Sequence, residues 1–346
     1  MTAAEGGSGM ADRDTPEHLR ADLRTAWHRY VDMLVPLRPD LHAYCRRLAG
    51  NVWDAEDLVQ DTLLRTFGQW GASYGHIHNP RAYLLRAATN VWIDEVRRRE
   101  TAARALLEPP GDNGDRTGDP PLEQEVRSAG SRLLQRLSPQ ERAAVVLREV
   151  FDMTLEEIAD LLATTTGAVK AALHRGRGRL REAEGAPSSR RPAPSPALLD
   201  RFIALCKAQD LDGLLGLMLE GGSAENPGNS FHIGSDPVDG FVRFLRSVAH
   251  GHPEWPPQFQ PESRRLERAE LEGEPIVLVF CTFPGRGEEL ISFFRFEERE
   301  GRIARIRSYM FCPETVREVG ERLGLPVLTG LYRAPTPAPG EEWPEV

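Results

Sequence analysis

Cysteine is scarce in this sequence of 346 residues: there are four, Cys45, Cys206, Cys281 and Cys312, widely scattered and with no CxxC pair. That scarcity excludes a disulfide framework and a cysteine-based zinc site, and it fits a reducing, cytoplasmic setting. Long apolar runs are absent as well. The longest, Ile276 to Cys281, is six residues, far short of the roughly 20 that a membrane-spanning helix needs. The first ten residues, MTAAEGGSGM, lack a basic start and an apolar stretch, so no secretory signal is expected. There is no repeat of fixed period, no phosphate loop, no catalytic triad and no metal-ligand spacing, so neither metal nor cofactor is expected. Positive charge is also short, the formal net charge being −9. As a whole-chain average this disfavours nucleic acid as a partner.

Divided along the chain, the charge reads differently. Residues 17–104 carry 13 basic and 11 acidic side chains, and residues 131–183 carry 9 and 7. Between them, residues 105–130 hold 2 basic and 6 acidic residues with Pro109-Pro110-Gly111 and Pro120-Pro121, the composition of a flexible acidic linker. A second, Pro-rich linker, EGAPSSRRPAPSP, occupies 184–196. Most of the remaining acidity sits in residues 195–346, with 16 basic and 24 acidic residues. An acidic domain tethered to two basic-faced ones is expected to compete with DNA for them.

Residues 17–104 read as helical. In DAEDLVQDTLLRTFGQW, Asp54 is placed to cap a helix, and Val59, Leu63 and Phe67 recur every four residues. Asn79-Pro80 opens a second helix with proline at a tolerated first-turn position, and this helix ends in Arg97-Arg98-Arg99. In 131–183, Ser138-Pro139-Gln140-Glu141 and Thr154-Leu155-Glu156-Glu157 are capping boxes. They introduce a helix-turn-helix whose second helix starts after Thr164-Thr165-Thr166 and carries Lys170, His174, Arg175, Arg177, Arg179 and Arg181 with no acid. A basic helix opened by hydroxyl residues suits entry into a major groove, with the helix start on phosphates.

Two segments, in this order, resemble the extracytoplasmic-function (ECF) sigma factors of RNA polymerase. DAEDLVQDTLLRTF is similar to the part of their second region that docks on the clamp coiled coil of the core enzyme. NPRAYLLRAATNVWIDEVRRR is similar to the helix that melts and reads the minus-ten element. LSPQERAAVVLREVFDMTLEEIADLLATTTGAVKAALHRGRGRLRE resembles their fourth region, which binds the minus-thirty-five element. The resemblance implies two all-α sigma domains at 17–104 and 131–183, with RNA polymerase core and promoter DNA as partners and no membrane. It places Asp54, Glu56, Asp57, Leu58, Gln60, Asp61 and Leu64 on the polymerase-binding helix. Asn79 and Arg81 fall at a base-capturing loop, and Asn90, Asp94, Arg97 and Arg98 along the DNA strand path. Thr165, Thr166, Lys170, His174 and Arg175 face the minus-thirty-five groove.

The chain departs from the family at Ala171-Ala172, where Ser-Arg is common, and at Ala163, where the turn has glycine. Gly176 and Gly178 should each weaken the helix by about 0.8–1.0 kcal/mol relative to alanine.

Residues 197–333 form an α+β third domain followed by a tail, 334–346. Helices are expected at Leu198–Leu205, Leu211–Leu219 and Val238–Val248, then strands at Arg264–Leu271, Ile276–Phe283, Glu289–Phe296 and Arg302–Met310, punctuated by glycine turns. That order resembles the cone-shaped SnoaL-like fold, which often encloses a pocket. Candidates to line it are His232, Asp236, Trp255, Cys281, Ser292 and Tyr309, with a small-molecule ligand as a further candidate partner.

The leading reading is a sigma factor, not an enzyme, that is modulated by its own C-terminal domain. Two alternatives from other classes are a cyclase- or isomerase-like enzyme with a vestigial sigma half, and a helix-turn-helix regulator acting without polymerase.

Overall fold

A computed structural model describes residues 16–72, 77–105, 137–181, 193–233, 244, 246–247 and 260–329. The first domain contains α1 (Pro16–Leu34), a 3-10 turn, α2 (Arg38–Ala49), α3 (Val52–Ala72) and α4 (Pro80–Ala105). Asp54 does not cap α3. Asn51 does, its side-chain oxygen accepting from the Asp54 amide at 2.8 Å while its amide reaches the Asp54 carboxylate. Asparagine just before the helix satisfies a first-turn N–H that has no intrahelical partner. The second domain contains α5 (Pro139–Glu149), α6 (Leu155–Leu161) and α7 (Thr166–Arg181). Both capping boxes form in full. At the α6–α7 turn Ala163 takes φ +50°, the left-handed conformation that costs a residue with a Cβ.

The third domain contains α8 (Pro196–Ala208), α9 (Leu211–Leu217), a six-stranded sheet and α10 (Pro313–Leu323). The strands are β1 (Met218–Asn226), β2 (Ser230–Ile233), β3 (Ser263–Leu271), β4 (Glu274–Thr282), β5 (Glu288–Arg299) and β6 (Arg302–Ser308), ordered β2-β1-β6-β5-β4-β3. All pairings are antiparallel except β1 with β6. The four expected strands are present. β1 and β2 were not expected, because the glycines of LEGGSAEN break the period-two pattern and the preceding leucines continue a helical stripe. The helix expected at Val238–Val248 lies almost wholly outside the described residues.

Alternation along the strands sends side chains to two cores. Val277, Val279, Phe294 and Phe296 pack under α8 and α9 with Leu199, Phe202 and Leu214. On the opposite face Ile276, Leu278, Phe280 and Phe293 pack with Val316 and Val319 of α10, and also with Val52 and Trp53 from the start of α3. The second core of the sheet domain is therefore completed by the first helical domain. No helix among the described residues is long and apolar enough to cross a membrane.

Candidate functional site

Helix α3 presents Trp53, Glu56, Asp57 and Gln60 on one stripe, the i, i+3, i+4, i+7 spacing of a single helix face. The third domain covers this stripe. Trp53 lies edge-on to Phe293, with ring centroids 5.7 Å apart, and the Arg295 guanidinium stands 4.4 Å over its ring. Arg295 is itself held by two bonds to Glu274 and one to the Tyr309 hydroxyl.

Behind Trp53 lies a buried polar network made from both sides. Arg38 bridges Glu56 at 2.9 Å and Glu314 at 3.1 Å, all three side chains almost fully enclosed. The Thr315 hydroxyl donates to the second oxygen of Glu56 and lies 3.1 Å from Nε2 of His42. Buried charges persist only when paired and hydrogen-bonded, as here. Asp57 pairs with Arg307, which Glu225 also holds at 2.9 Å. Nearer the rim, Arg46 pairs with Glu318 at 2.8 Å and with Glu272, whose other oxygen accepts from the Val52 amide at 3.2 Å.

The β1–β2 turn completes the contact. The Gly228 carbonyl accepts from Trp27 Nε1 at 2.7 Å, and a Cβ on Gly228 would stand 2.4 Å from the Gln60 side-chain oxygen. With φ at +73° as well, any side chain here would be strained and would have to displace the end of Gln60.

Of the residues expected to face polymerase, Glu56 and Gln60 are thus buried under the third domain and Asp57 is partly so. Leu58 turns inward to the core of its own domain, which its i+5 offset from Trp53 dictates. Asp54 is tied to Asn51 and to Arg99 at 3.2 Å. Asp61 and Leu64 remain exposed, Leu64 at 56 %, on the part of α3 beyond the contact. Partial desolvation by the neighbouring side chains, together with nearby Asp57 and Glu95, pushes the Asp61 carboxyl above its ordinary value. The expected competition between acidic third domain and DNA takes another form: Glu314, Glu318 and Glu272 engage Arg38 and Arg46 of α2, not the basic turns of α4 or α7.

The expected DNA-facing residues fall in two groups. Asn79 caps α4, accepting from the Ala82 amide at 3.0 Å, and Arg81 pairs with Asp40. Asn90, Asp94, Arg97 and Arg98 are exposed along α4, with Asp94 bonded to Arg65 at 3.2 Å and Arg98 to Glu95. In the helix-turn-helix, Thr165 caps α7 through the Ala168 amide, Thr166 begins it, and Lys170 and His174 are exposed. The acid-free run of α7 is nonetheless neutralised from α5. Glu141 takes both Arg175, at 2.9 Å, and Arg179, and Glu149 takes Arg177.

The pocket candidates whose side chains are described, Tyr309, Cys281 and Ser292, are all buried in packing contacts. Tyr309 is fully buried, stacked on Phe293 at 4.4 Å, and the two arginines beside it meet carboxylates. Cys281 is buried and its thiol is pushed up by desolvation, which makes it a poor nucleophile. Ser292 is buried beside Ser308. His232 lies on β2 opposite Ala224, not in a loop, and Asp236 and Trp255 fall outside the described residues. No group of three metal-ligating side chains occurs among the described residues.

Acid should loosen the contact between the helical and sheet domains. Burial holds His42 below its ordinary value despite Glu56, Glu314 and Glu318, with Arg38 opposing protonation further. Burial alone would raise the Glu56 carboxyl, but Arg38 and His42 hold it below its usual range. Both depressed values give the same sign: the separated state takes up protons that the closed state refuses. Closure should therefore weaken as pH falls below about 6.5, where free histidine begins to protonate, and further as the carboxylate titrates. Amide hydrogen exchange of α10 at pH 7.5 and 5.5, corrected for intrinsic rates, should show protection falling at the lower pH. Substituting His42→Gln should remove the upper part of that dependence.

Two helical domains, the second a helix-turn-helix, are the parts of a transcription initiation factor. The models of sigma-70 region 2 and sigma-70 region 4 match residues 33–101 and 131–180. The ECF RNA polymerase sigma factor SigG of Mycobacterium tuberculosis is 31 % identical over 274 residues, which cover 71 % of each chain. The chain belongs to the ECF RNA polymerase sigma factors. Among solved structures, M. tuberculosis SigJ is 22 % identical, covering 81 % of this chain and 95 % of SigJ, with a TM-score of 0.30. RpoE of Bartonella quintana, in complex with the anti-sigma factor NepR, is 26 % identical, covering 44 % of this chain and 93 % of that one, with a TM-score of 0.34.

Proposed function

We propose that this sigma factor acts in the cytoplasm, binds RNA polymerase core through the exposed and masked parts of α3, and carries its own inhibitor of that step. The observation that carries this reading is the coincidence of two surfaces. The Glu56–Asp57–Gln60 stripe to which the resemblance assigns clamp binding is the stripe the SnoaL-like domain covers. Two occupants of one helix face exclude each other, so the closed form competes with core by mass action. Once α3 is free, Asn79, Arg81, Asn90, Asp94, Arg97 and Arg98 would serve the minus-ten strand. Lys170 and His174, with the start of α7 at Thr165 and Thr166, would serve the minus-thirty-five groove alongside Arg175. No catalytic role is part of this reading.

Its test is reconstitution. The purified chain should co-elute with core polymerase and yield discrete run-off transcripts from some genomic fragments, and Asp61→Arg with Leu64→Asp should abolish both. No co-elution, or transcripts independent of the added chain, would falsify it.

A further inference from the structure

The basic helix α7 carries its cations in two settings. Lys170 and His174 are exposed, on the stripe Gly167, Lys170, Ala171, His174 whose i, i+3, i+4, i+7 spacing is one helix face. Arg175 and Arg179, one turn apart, share a single carboxylate on α5. That carboxylate, Glu141, is only 4 % exposed, and both of its oxygens are committed. Oε1 accepts from Arg175 Nε at 2.9 Å, and Oε2 accepts from Arg179 at 2.5 Å and from the Ser138 amide at 3.1 Å.

Glu141 is fixed where it stands, because it closes the Ser138 capping box at the start of α5. Desolvation alone would raise its carboxyl, but the bonds from Ser138 and the two arginines hold it below its usual range, so it is charged at neutral pH. The neighbouring pair of Glu149 and Arg177 differs in kind. Both of its side chains are half exposed, and such a pair contributes little.

Cations that engage phosphates release counterions, and log K then falls with log salt by about 0.9 for each phosphate neutralised. That affinity carries no sequence information, whereas contacts to base edges do. Lys170 can reach a guanine edge and the exposed methyl of Ala171 a thymine methyl, with His174 one turn on. We propose that Glu141 is a specificity-determining positioning residue. Its carboxylate offsets the charge of Arg175 and Arg179 and fixes their direction, which lowers the affinity of α7 for phosphates of any sequence. Tight binding is thereby reserved for sites whose bases match the exposed stripe. This deepens, and rests on, the reading that α7 serves the minus-thirty-five groove.

Glu141→Gln tests this, since it removes the charge while glutamine still closes a capping box. Full chain bound to core polymerase is titrated from 50 to 200 mM salt on two promoter fragments, one with its minus-thirty-five segment scrambled. On the scrambled fragment Glu141→Gln should steepen the salt slope by about 0.9–1.8, so that its gain in affinity is about 3–12-fold larger at 50 mM than at 200 mM. The preference for the intact fragment should fall at least about threefold. Ser138→Ala loosens the same helix start and keeps the carboxylate, so it should lower thermal stability and leave the slope unchanged. An unchanged slope in Glu141→Gln, an equal change in Ser138→Ala, or an undiminished preference overturns the proposal. The free full chain on immobilised heparin, a sulfated polyanion, gives a reading without polymerase. Glu141→Gln should elute at higher salt than Glu300→Gln, the same change of charge on the exposed β5–β6 turn. Elution of the two together overturns the proposal. A chain that fails to co-elute with core overturns the initiation reading, and the heparin result still decides whether Glu141 restrains the two arginines.

Discussion

Replacing Thr315 by arginine should raise the affinity of the chain for core polymerase about tenfold or more. Thr315 is fully buried at the start of α10, where its hydroxyl donates to Glu56 beside Arg38 and His42. A longer cationic side chain at that point overfills a packed site, which typically costs about 1–3 kcal/mol. It also sets a second positive group beside Arg38, and breaking a buried ion-pair network typically costs about 3–5 kcal/mol. The substitution lies on the masking domain and leaves every α3 side chain intact, so binding is altered only through the population of the closed form. A ligand that binds only the open form gains by the inverse of the open fraction, and a tenfold gain corresponds to about 1.4 kcal/mol. Titration of labelled protein with core should show this, with Arg299→Glu on the exposed end of β5 as an unaffected control. Unchanged or weaker binding by Thr315→Arg would mean that the third domain does not mask α3.

The two glycines of the basic helix should respond to substitution with opposite signs. At Gly176 an added Cβ would stand 2.9 Å from Val145 Cγ2 and 3.7 Å from both Glu141 Cβ and Leu137 Cδ1. The glycine lets α5 and α7 approach closely, and that approach carries Arg175 and Arg179, on either side of it, to Glu141. Gly176→Leu should separate the helices and destabilise this small domain by about 1–3 kcal/mol. Transcription that depends on the minus-thirty-five element should be lost, while core binding through α3 persists. At Gly178 nothing lies within 4 Å of an added Cβ. Gly178→Ala should therefore stabilise the helix by about 0.8–1.0 kcal/mol, the ordinary difference in helix propensity. Thermal unfolding of the two variants, paired with transcription from promoters with and without the minus-thirty-five element, checks both. Equal effects at the two positions would remove the close-approach argument.

The third domain and the helix-turn-helix domain meet different residues of the first domain. Arg38, His42 and Arg46 of α2 face α10 or Glu272, whereas Tyr44 and the Leu48 carbonyl face the helix-turn-helix domain.

Much of the local structure was legible in the sequence because its signals act within a turn or two of helix. The boxes at Ser138–Glu141 and Thr154–Glu157, the proline opening α4 and the threonines opening α7 each satisfy backbone groups a few residues away. The four later strands were legible from alternation and glycine turns, and the family from two motifs in order. Asn51, the cap of α3, is an equally local signal, one that competes in the sequence with Asp54, the residue it holds.

What the tertiary structure alone decided is which of those surfaces are free. Glu56 and Gln60 carry no mark of burial, since a Glu–x–x–x–Gln pair on a helix is ordinarily solvated. They are buried because Glu314 and Thr315 arrive from 276 residues away from Arg38 and 259 away from Glu56. Arg142 likewise reads as one more surface cation until Trp92 and the Leu48 carbonyl enclose it. Helix and strand periodicity records only that a face is polar or apolar. Whether water or another domain meets a polar face depends on pairing between distant charges, and that pairing leaves no period in the sequence.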